Sequence, residues 1–332
     1  MSVSISRAIL HILDPSLGVP ILSDNLMSFN DQMREYTEKH VLKCFNDADL
    51  KKTKFTNEDG LFLKLIKEYK LNEEFKKFTN EIAEFFFKLI SENQDIKPCD
   101  LLFLQANVFN KDYIVMLKLN YKNGYIHFTK QEEGTKNIII EQPCALPSAS
   151  GKIDECIFVD LNTLEVFVKE KKCQVYNEPC YYISKHLLEC REEKPDKEKV
   201  KIITQATDKI IKEYYDDDVM MKTKVKNIIR ENVEETLKFN VDDISDQFFE
   251  DREIKKAYSE EIKMKGIKEP EVKVNFNYAN KIKTKQKFVT DEGIEINIPY
   301  EMISNKDKVE FITNPDGTIS IVLKNIDNIM DK

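Results

Sequence analysis

The segment NEEFKKFTNEIAEFFFKLISEN, residues 72–93, constrains the fold more than any other stretch of the chain. Phe75, Phe78, Ile82, Phe85, Phe86, Leu89 and Ile90 recur at helical spacing, and Glu and Lys fill the other face. So large an apolar stripe needs a partner surface, and strands that supply one follow at once. DLLFLQANVF, YIVMLKLNY and YIHFTK read as three strands, with turns at Asn110-Lys111-Asp112 and Lys122-Asn123-Gly124. Asn-Gly is a strong hairpin signal because both residues tolerate positive φ. IDECIFVDLNTLEVFVKEK adds a hairpin across Leu161-Asn162-Thr163. Residues 100–170 are therefore expected to form an antiparallel meander with a helix lying on it. Strands and helices do not alternate as βαβ units, so the fold class is α+β.

On the N-terminal side, VSISRAILHILD and VPILSD read as strands joined at Asp14-Pro15-Ser16. FNDQMREYTEKHVLKCF reads as a helix capped by Asn30 or Ser28. From Tyr181 to Lys265 the pattern is helical, after a charged, solvated connection from Arg191 to Lys199. Pro270 closes that region, and EVKVNFNY, KIKTKQKFV, GIEINIP, VEFI and TISIVLKNI read as strands, the last hairpin turning at Asp316-Gly317. The expected organisation is an α+β domain over 1–176, a helical region over 177–268 and a small β-rich region over 269–332.

A length of 332 residues suits two or three compact domains. Hydrophobic residues at 41% support a packed core, and charged residues at 33% a soluble surface. The net charge of -8 argues against a general coat on nucleic acid, since an acidic body is repelled by phosphate. Any such contact must be a local basic patch. No secretory leader is read in MSVSISRAILHILDP, and no apolar run reaches the length of about 18 residues that a membrane span needs. The seven cysteines form no Cys-x-x-Cys pair and read as reduced thiols of a cytoplasmic protein.

Catalytic signals are thin. His11, His40, His127 and His186 lack metal-ligand spacing. Cys180 and Cys190 flank His186, but an offset of four from His186 to Cys190 is also ordinary helical packing. Acids cluster at Asp216-Asp217-Asp218, at Asp242, Asp243 and Asp246, and at Glu250-Asp251. Paired carboxylates can hold magnesium in nucleases. Directly before helical runs, however, they are better read as caps that complement the helix dipole. There is no Gly-rich phosphate loop and no Gly-x-Ser-x-Gly elbow. No cofactor is expected.

The segment NKIKTKQKF stands apart. It places Lys281, Lys283, Lys285 and Lys287 at alternate positions with no acid between them. Read as one extended strand from Val272 to Phe288, it puts these lysines and Lys273 on one face and Val272, Val274, Phe276, Tyr278, Ile282 and Phe288 on the other. Lysines two residues apart on a strand lie about 6–7 Å from one another, close to the phosphate spacing of one DNA strand. This reads as a phosphate-tracking edge. The plainer readings are protection of an edge strand and neutralisation of nearby acids. Lys222, Lys226 and Arg230 align at steps of four on a helix, opposite Val225, Ile228 and Ile229, and form a second candidate or a plain solvated face.

The opening ISRAILHILDP…PILSDNLM and the ending GIEINIPYEMISNKDKVEFITNPDGTISIVLKNI resemble the bacterial 37-kDa nucleoid-associated protein family. The order of a mixed N-terminal domain, a helical middle and a β-rich end also agrees with that family. The resemblance implies a cytoplasmic, nucleoid-located, DNA-binding protein without enzymatic activity or cofactor. It transfers no site residue. The leading expectation is a non-enzymatic protein that binds double-stranded DNA through phosphate, with little sequence preference, by Lys281, Lys283, Lys285, Lys287, Lys273, Lys222, Lys226 and Arg230. A homodimer is expected, because two modest patches raise the effective concentration. The alternatives are an interaction adaptor for a chromosome-handling or defence protein, and a metal-dependent nuclease built on the acidic clusters.

Overall fold

The computed structural model describes residues 3–131, 134–216, 218–274, 278–279, 285–303 and 305–326. The chain divides into two compact units, Met1–Glu193 and Lys194–Lys332. The first holds β1 (Val3–Leu13), α1 (Asp31–Phe45), β2 (Lys51–Thr53), α2 (Leu61–Asn72), α3 (Phe75–Glu92), β3 (Cys99–Val108), β4 (Lys111–Asn120), β5 (Lys122–Gln131), β6 (Thr135–Ala145), β7 (Glu155–Asp160), β8 (Val166–Lys169), β9 (Cys173–Val175) and β10 (Glu178–Cys180). Six of these strands form one sheet in the order β1-β3-β4-β7-β8-β2, and every neighbouring pair is antiparallel. The fold is α+β.

Helices cover both faces of this sheet. Leu101 and Phe103 of β3 pack with α2 and α3, whereas Leu102, Leu104 and Ala106 pack with Val41 and Cys44 of α1. Burial on both sides explains why DLLFL reads as a continuous apolar run and not as an alternating one. On α3, Phe75, Phe78, Ile82, Phe86, Leu89 and Ile90 are buried as the spacing predicts. Phe78 joins Phe62 edge-on at 5.7 Å and Phe103 at 6.4 Å, which ties both helices to the sheet. Asn30 caps α1 by accepting from the Met33 amide.

Three expectations need correction. VPILSD is not a strand: Ile21 makes only an isolated bridge to Ile12. The β3–β4 turn is Phe109-Asn110, with φ of 48° and 65°, the two-residue form whose twist suits a hairpin. Asn123-Gly124 is not a turn at all. It lies inside β5 at a register shift, and β5 pairs with β6 in a separate two-stranded ribbon instead of extending the meander. Asn123 there faces two residues of β6, Pro143 and Cys144, so the extra residue of the bulge lies on β6.

The second unit holds α4 (Asp196–Tyr214), α5 (Val219–Thr236), β11 (Lys238–Asn240), α6 (Val241–Phe248), α7 (Arg252–Met264), β12 (Glu271–Lys273), β13 (Lys285–Val289), β14 (Glu295–Pro299), α8 (Tyr300–Ile303), β15 (Val309–Thr313) and β16 (Ile319–Leu323). The buried Tyr258 on α7 shares a 3.1 Å hydrogen bond with Thr207 on α4 and meets Phe249 at 5.2 Å. Hairpins β13–β14 and β15–β16 pack around Ile298, Ile303 and Val309, with Phe288 and Phe311 5.2 Å apart. Gly317, at φ 82°, turns the last hairpin as the Asp-Gly pair predicts. Among the described residues, no helix is long and apolar enough to cross a membrane.

Candidate nucleic-acid interface

The stretch from Val272 to Phe288 is not one unbroken strand. β12 ends at Lys273, Tyr278 and Ala279 are helical, and β13 begins at Lys285. The expectation of an unbroken strand from Val272 to Phe288 is therefore corrected. Lys281 and Lys283 lie outside the described residues. Lys285 and Lys287 stand on β13 opposite Pro299 and Asn297 of β14, so no acid sits across from either. No acid occurs in the sequence from Val272 to Thr290.

Lys273 lies directly opposite Lys238 of β11. Both ammonium groups reach the Glu271 carboxylate at 3.1 Å. Hydrogen bonds from Lys238 and then Lys273 hold that carboxyl below its usual range. Two exposed cations thus share one acid, and the site keeps net positive charge. Pairs this exposed add little stability. Lys238 escaped sequence reasoning because its neighbour Lys273 is 35 positions away; only the strand pairing brings the two together.

The second candidate lies on α5. Val225 and Ile229 are buried as expected, and Val233 joins them. Lys222, Lys226 and Arg230 are half-buried, so this is not the open solvated face that the spacing suggests. Lys226 is 3.6 Å from Asp208 of α4, and Arg230 is 3.6 Å from its neighbour Glu231.

The acidic clusters do structural work. Asp218 caps α5 by accepting from the Met220 and Met221 amides at 2.8 and 3.0 Å. Asp251 caps α7, Asp242 and Asp243 occupy the first turn of α6, and Asp246 pairs with Lys255 at 2.7 Å. Asp217 lies outside the described residues. Among the described residues, no three His, Cys, Asp or Glu side chains gather as a metal site. The Cys190 thiol is buried, aims at the Leu188 carbonyl at 3.7 Å and is pushed up to about 12 by burial, the reverse of an activated nucleophile. His186 instead packs edge-on to Tyr176 at 5.5 Å.

One feature of the first unit left no clear signal in the sequence. Three lysines are buried against carboxylates at the edge of the main sheet's core. Lys51 meets Glu170 at 3.0 Å, Lys118 meets Glu155 at 2.6 Å, and Lys169 meets Asp47 at 2.7 Å. The Ser184 amide donates to Glu170 at 3.0 Å and its hydroxyl donates to the other oxygen. Burial works against the charge on Lys169, but the Asp47 contact outweighs it and raises its pKa. Each charge has its own partner within the packed interior, which suits a structural role and not an open catalytic cleft. These residues look unremarkable in sequence because lysine and glutamate in short strands read as exposed positions.

No individually curated protein matches the chain. The family model described as nucleoid-associated protein YejK matches residues 9–331. That match takes in both units, from within β1 of the first to the hairpins that close the second. The chain belongs to the nucleoid-associated protein YejK family.

Proposed function

We propose that this protein acts at the nucleoid by binding double-stranded DNA through phosphate contacts, with little sequence preference and without catalysing a reaction. The observation that carries this reading is the family match over nearly the whole chain. The acid-free stretch from 272 to 290 supports it, because an acidic protein can approach phosphate only where its own acids are absent. Lys281, Lys283, Lys285 and Lys287 are the principal contacts in this reading, joined by Lys273 and its cross-strand neighbour Lys238. The half-buried Lys222, Lys226 and Arg230 are secondary. Lysines contact phosphate as point charges, and phosphate contacts carry no sequence information. Fluorescence anisotropy with several unrelated duplexes tests the proposal. Near-equal affinity for all of them is expected, and strong preference for one contradicts it.

The adaptor reading retains one observation in its favour, the apolar surface of the β5–β6 ribbon. That surface suits a protein partner better than it suits DNA.

A further inference from the structure

Cys173 and Cys180 stand directly opposite each other on the hairpin of β9 and β10, and both are free thiols. The turn between the strands is Tyr176-Asn177, with φ of 50° and 67°, the two-residue form in which both central residues take positive φ. In such a hairpin the pair flanking the turn, Val175 and Glu178, exchanges both backbone hydrogen bonds. So does the pair two positions further on, which is Cys173 and Cys180. The intervening residues agree with this register. Pro179 has no amide hydrogen and needs none there, and the Gln174 amide turns away from the ladder to Asp95 Oδ2 at 3.1 Å. Opposed Cα atoms of such a pair lie about 5.5 Å apart with their side chains on one face, within the span that a disulfide bridges.

The hairpin is also held from outside. The Tyr176 amide donates to Asn93 Oδ1 at 2.8 Å, and the Tyr176 hydroxyl donates to Glu92 at 2.7 Å, so the end of α3 fixes the turn. The two thiols differ in access. Cys180 is buried in the core of the first unit, whereas Cys173 is half-buried and packs at the margin of that core. Burial raises both thiols above their ordinary range, so neither is an activated nucleophile by itself. What the pair has is proximity: a reagent that reaches Cys173 meets Cys180 directly across the ladder. Cys44 and Cys156 also hydrogen-bond one another, but both are buried beneath α1.

We propose that Cys173 and Cys180 are a reversible redox modification site, closed to a cross-strand disulfide by a small organic disulfide. The Cys173 thiolate attacks one sulfur of the reagent, forms a mixed disulfide and expels the other half as a thiolate. The Cys180 thiolate then attacks Cys173 Sγ and expels the second half. Two protein thiols and one small disulfide become one protein disulfide and two small thiols, with the two protons passing to the released thiolates. The closed hairpin fixes the chain that follows it. β10 leads directly into Tyr181, Tyr182 and Ser184. The Lys51 ammonium lies 3.5 Å from the centre of the Tyr181 ring, and the Ser184 amide donates to Glu170. Oxidation therefore fastens the segment that carries partners of the buried charges, and it restricts the unfolded chain as well.

The test uses the full chain and glutathione disulfide in mildly alkaline buffer, where more of each thiol is ionised. After alkylation of free thiols, trypsin releases residues 173–185 as one peptide, because Lys172 and Lys185 flank both cysteines. This peptide is expected to carry no alkyl group and to weigh two hydrogens less than its reduced form, and dithiothreitol is expected to reverse the change. Cys44 and Cys156 fall in other tryptic peptides, so a bond between them is read separately. Cys180→Ser is expected to retain glutathione on Cys173, the trapped intermediate. Cys173→Ser is expected to leave Cys180 unmodified, because burial shields it. The melting temperature of the native chain is expected to rise by several degrees on oxidation, and the rise to vanish in Cys173→Ser. Alkylation of both cysteines in the oxidant-treated, natively folded chain overturns the proposal. So does a disulfide from either one to a different cysteine, or glutathione that stays on Cys173 of the native chain without closure. An unchanged melting temperature in the closed form overturns the fastening role. None of these readouts involves DNA, so failure here leaves the DNA-binding reading standing.

Discussion

Lys118 on β4 and Glu155 on β7 face each other at one register position, Nζ to Oε2 at 2.6 Å, and neither side chain is more than 5% exposed. The Lys118 ammonium also lies 6.0 Å from the Tyr182 ring. A charge pair in this position costs much desolvation, and its two halves depend on each other. Lys118→Met alone is expected to destabilise the protein by about 3–5 kcal/mol, because Glu155 is left buried without its cation. Adding Glu155→Leu is expected to recover most of that loss. Urea unfolding of the single and double variants checks this, and additive losses would show that the residues act independently.

Histidine 11 gives the first unit a pH signature. Its ring is fully buried, its Nδ1 accepts from the Ser23 amide at 3.1 Å, and burial lowers its pKa to about 4. The unfolded chain takes up a proton near pH 6.5 that the folded chain refuses. Stability is therefore full above that value and falls as the pH drops toward 4. This single group contributes at most about 1.4 kcal/mol per pH unit. Carboxylates titrate at the lower end of the same window, so the readout is the difference between the native protein and His11→Gln. The variant is expected to lose the part of the slope between pH 6.5 and 5, as measured by thermal unfolding.

The capping role of Asp218 separates a structural acid from a metal ligand. Asp218→Ala is expected to cost about 1 kcal/mol through loss of its two amide hydrogen bonds, and Asp218→Asn much less. Magnesium is expected to change neither melting temperature. Stabilisation by magnesium that disappears in both variants would contradict the capping assignment.

Phe86 belongs to the apolar core of the first unit. It is fully buried on α3 and meets Tyr182 at 5.9 Å. Phe86→Ala is expected to cost about 3–5 kcal/mol in urea unfolding. Phe85, one position away and half-buried, is expected to cost clearly less when truncated.

The main sheet was legible where a strong local period met a long element. The stripe on α3, the strands β3 and β4, the β7–β8 hairpin and the last hairpin all follow from their own residues. What failed was the inference from neighbours in sequence to neighbours in space. Asn123-Gly124 carries the chemistry of a hairpin turn, yet it lies inside β5 opposite a bulge of β6, and β5 pairs with β6 and not with β4. The basic segment was legible as a cluster of charge but not as a shape. Tyr278 and Ala279 are helical and interrupt an alternation that the composition alone suggests is continuous. Lys238 and the three buried lysines were illegible because their roles come from long-range pairing. Lys169 and Asp47, for example, are 122 positions apart.

The salt dependence of DNA affinity tests the central claim most directly, comparing the native chain with the variant carrying Gln at positions 281, 283, 285 and 287. Each phosphate contact contributes about -0.9 to the slope of log affinity against log salt. The account predicts that the native slope is steeper than that of the variant by roughly 3.6, and that the variant binds much more weakly at low salt. Equal slopes and equal affinities for the two proteins would contradict it and place the DNA contacts elsewhere on the molecule.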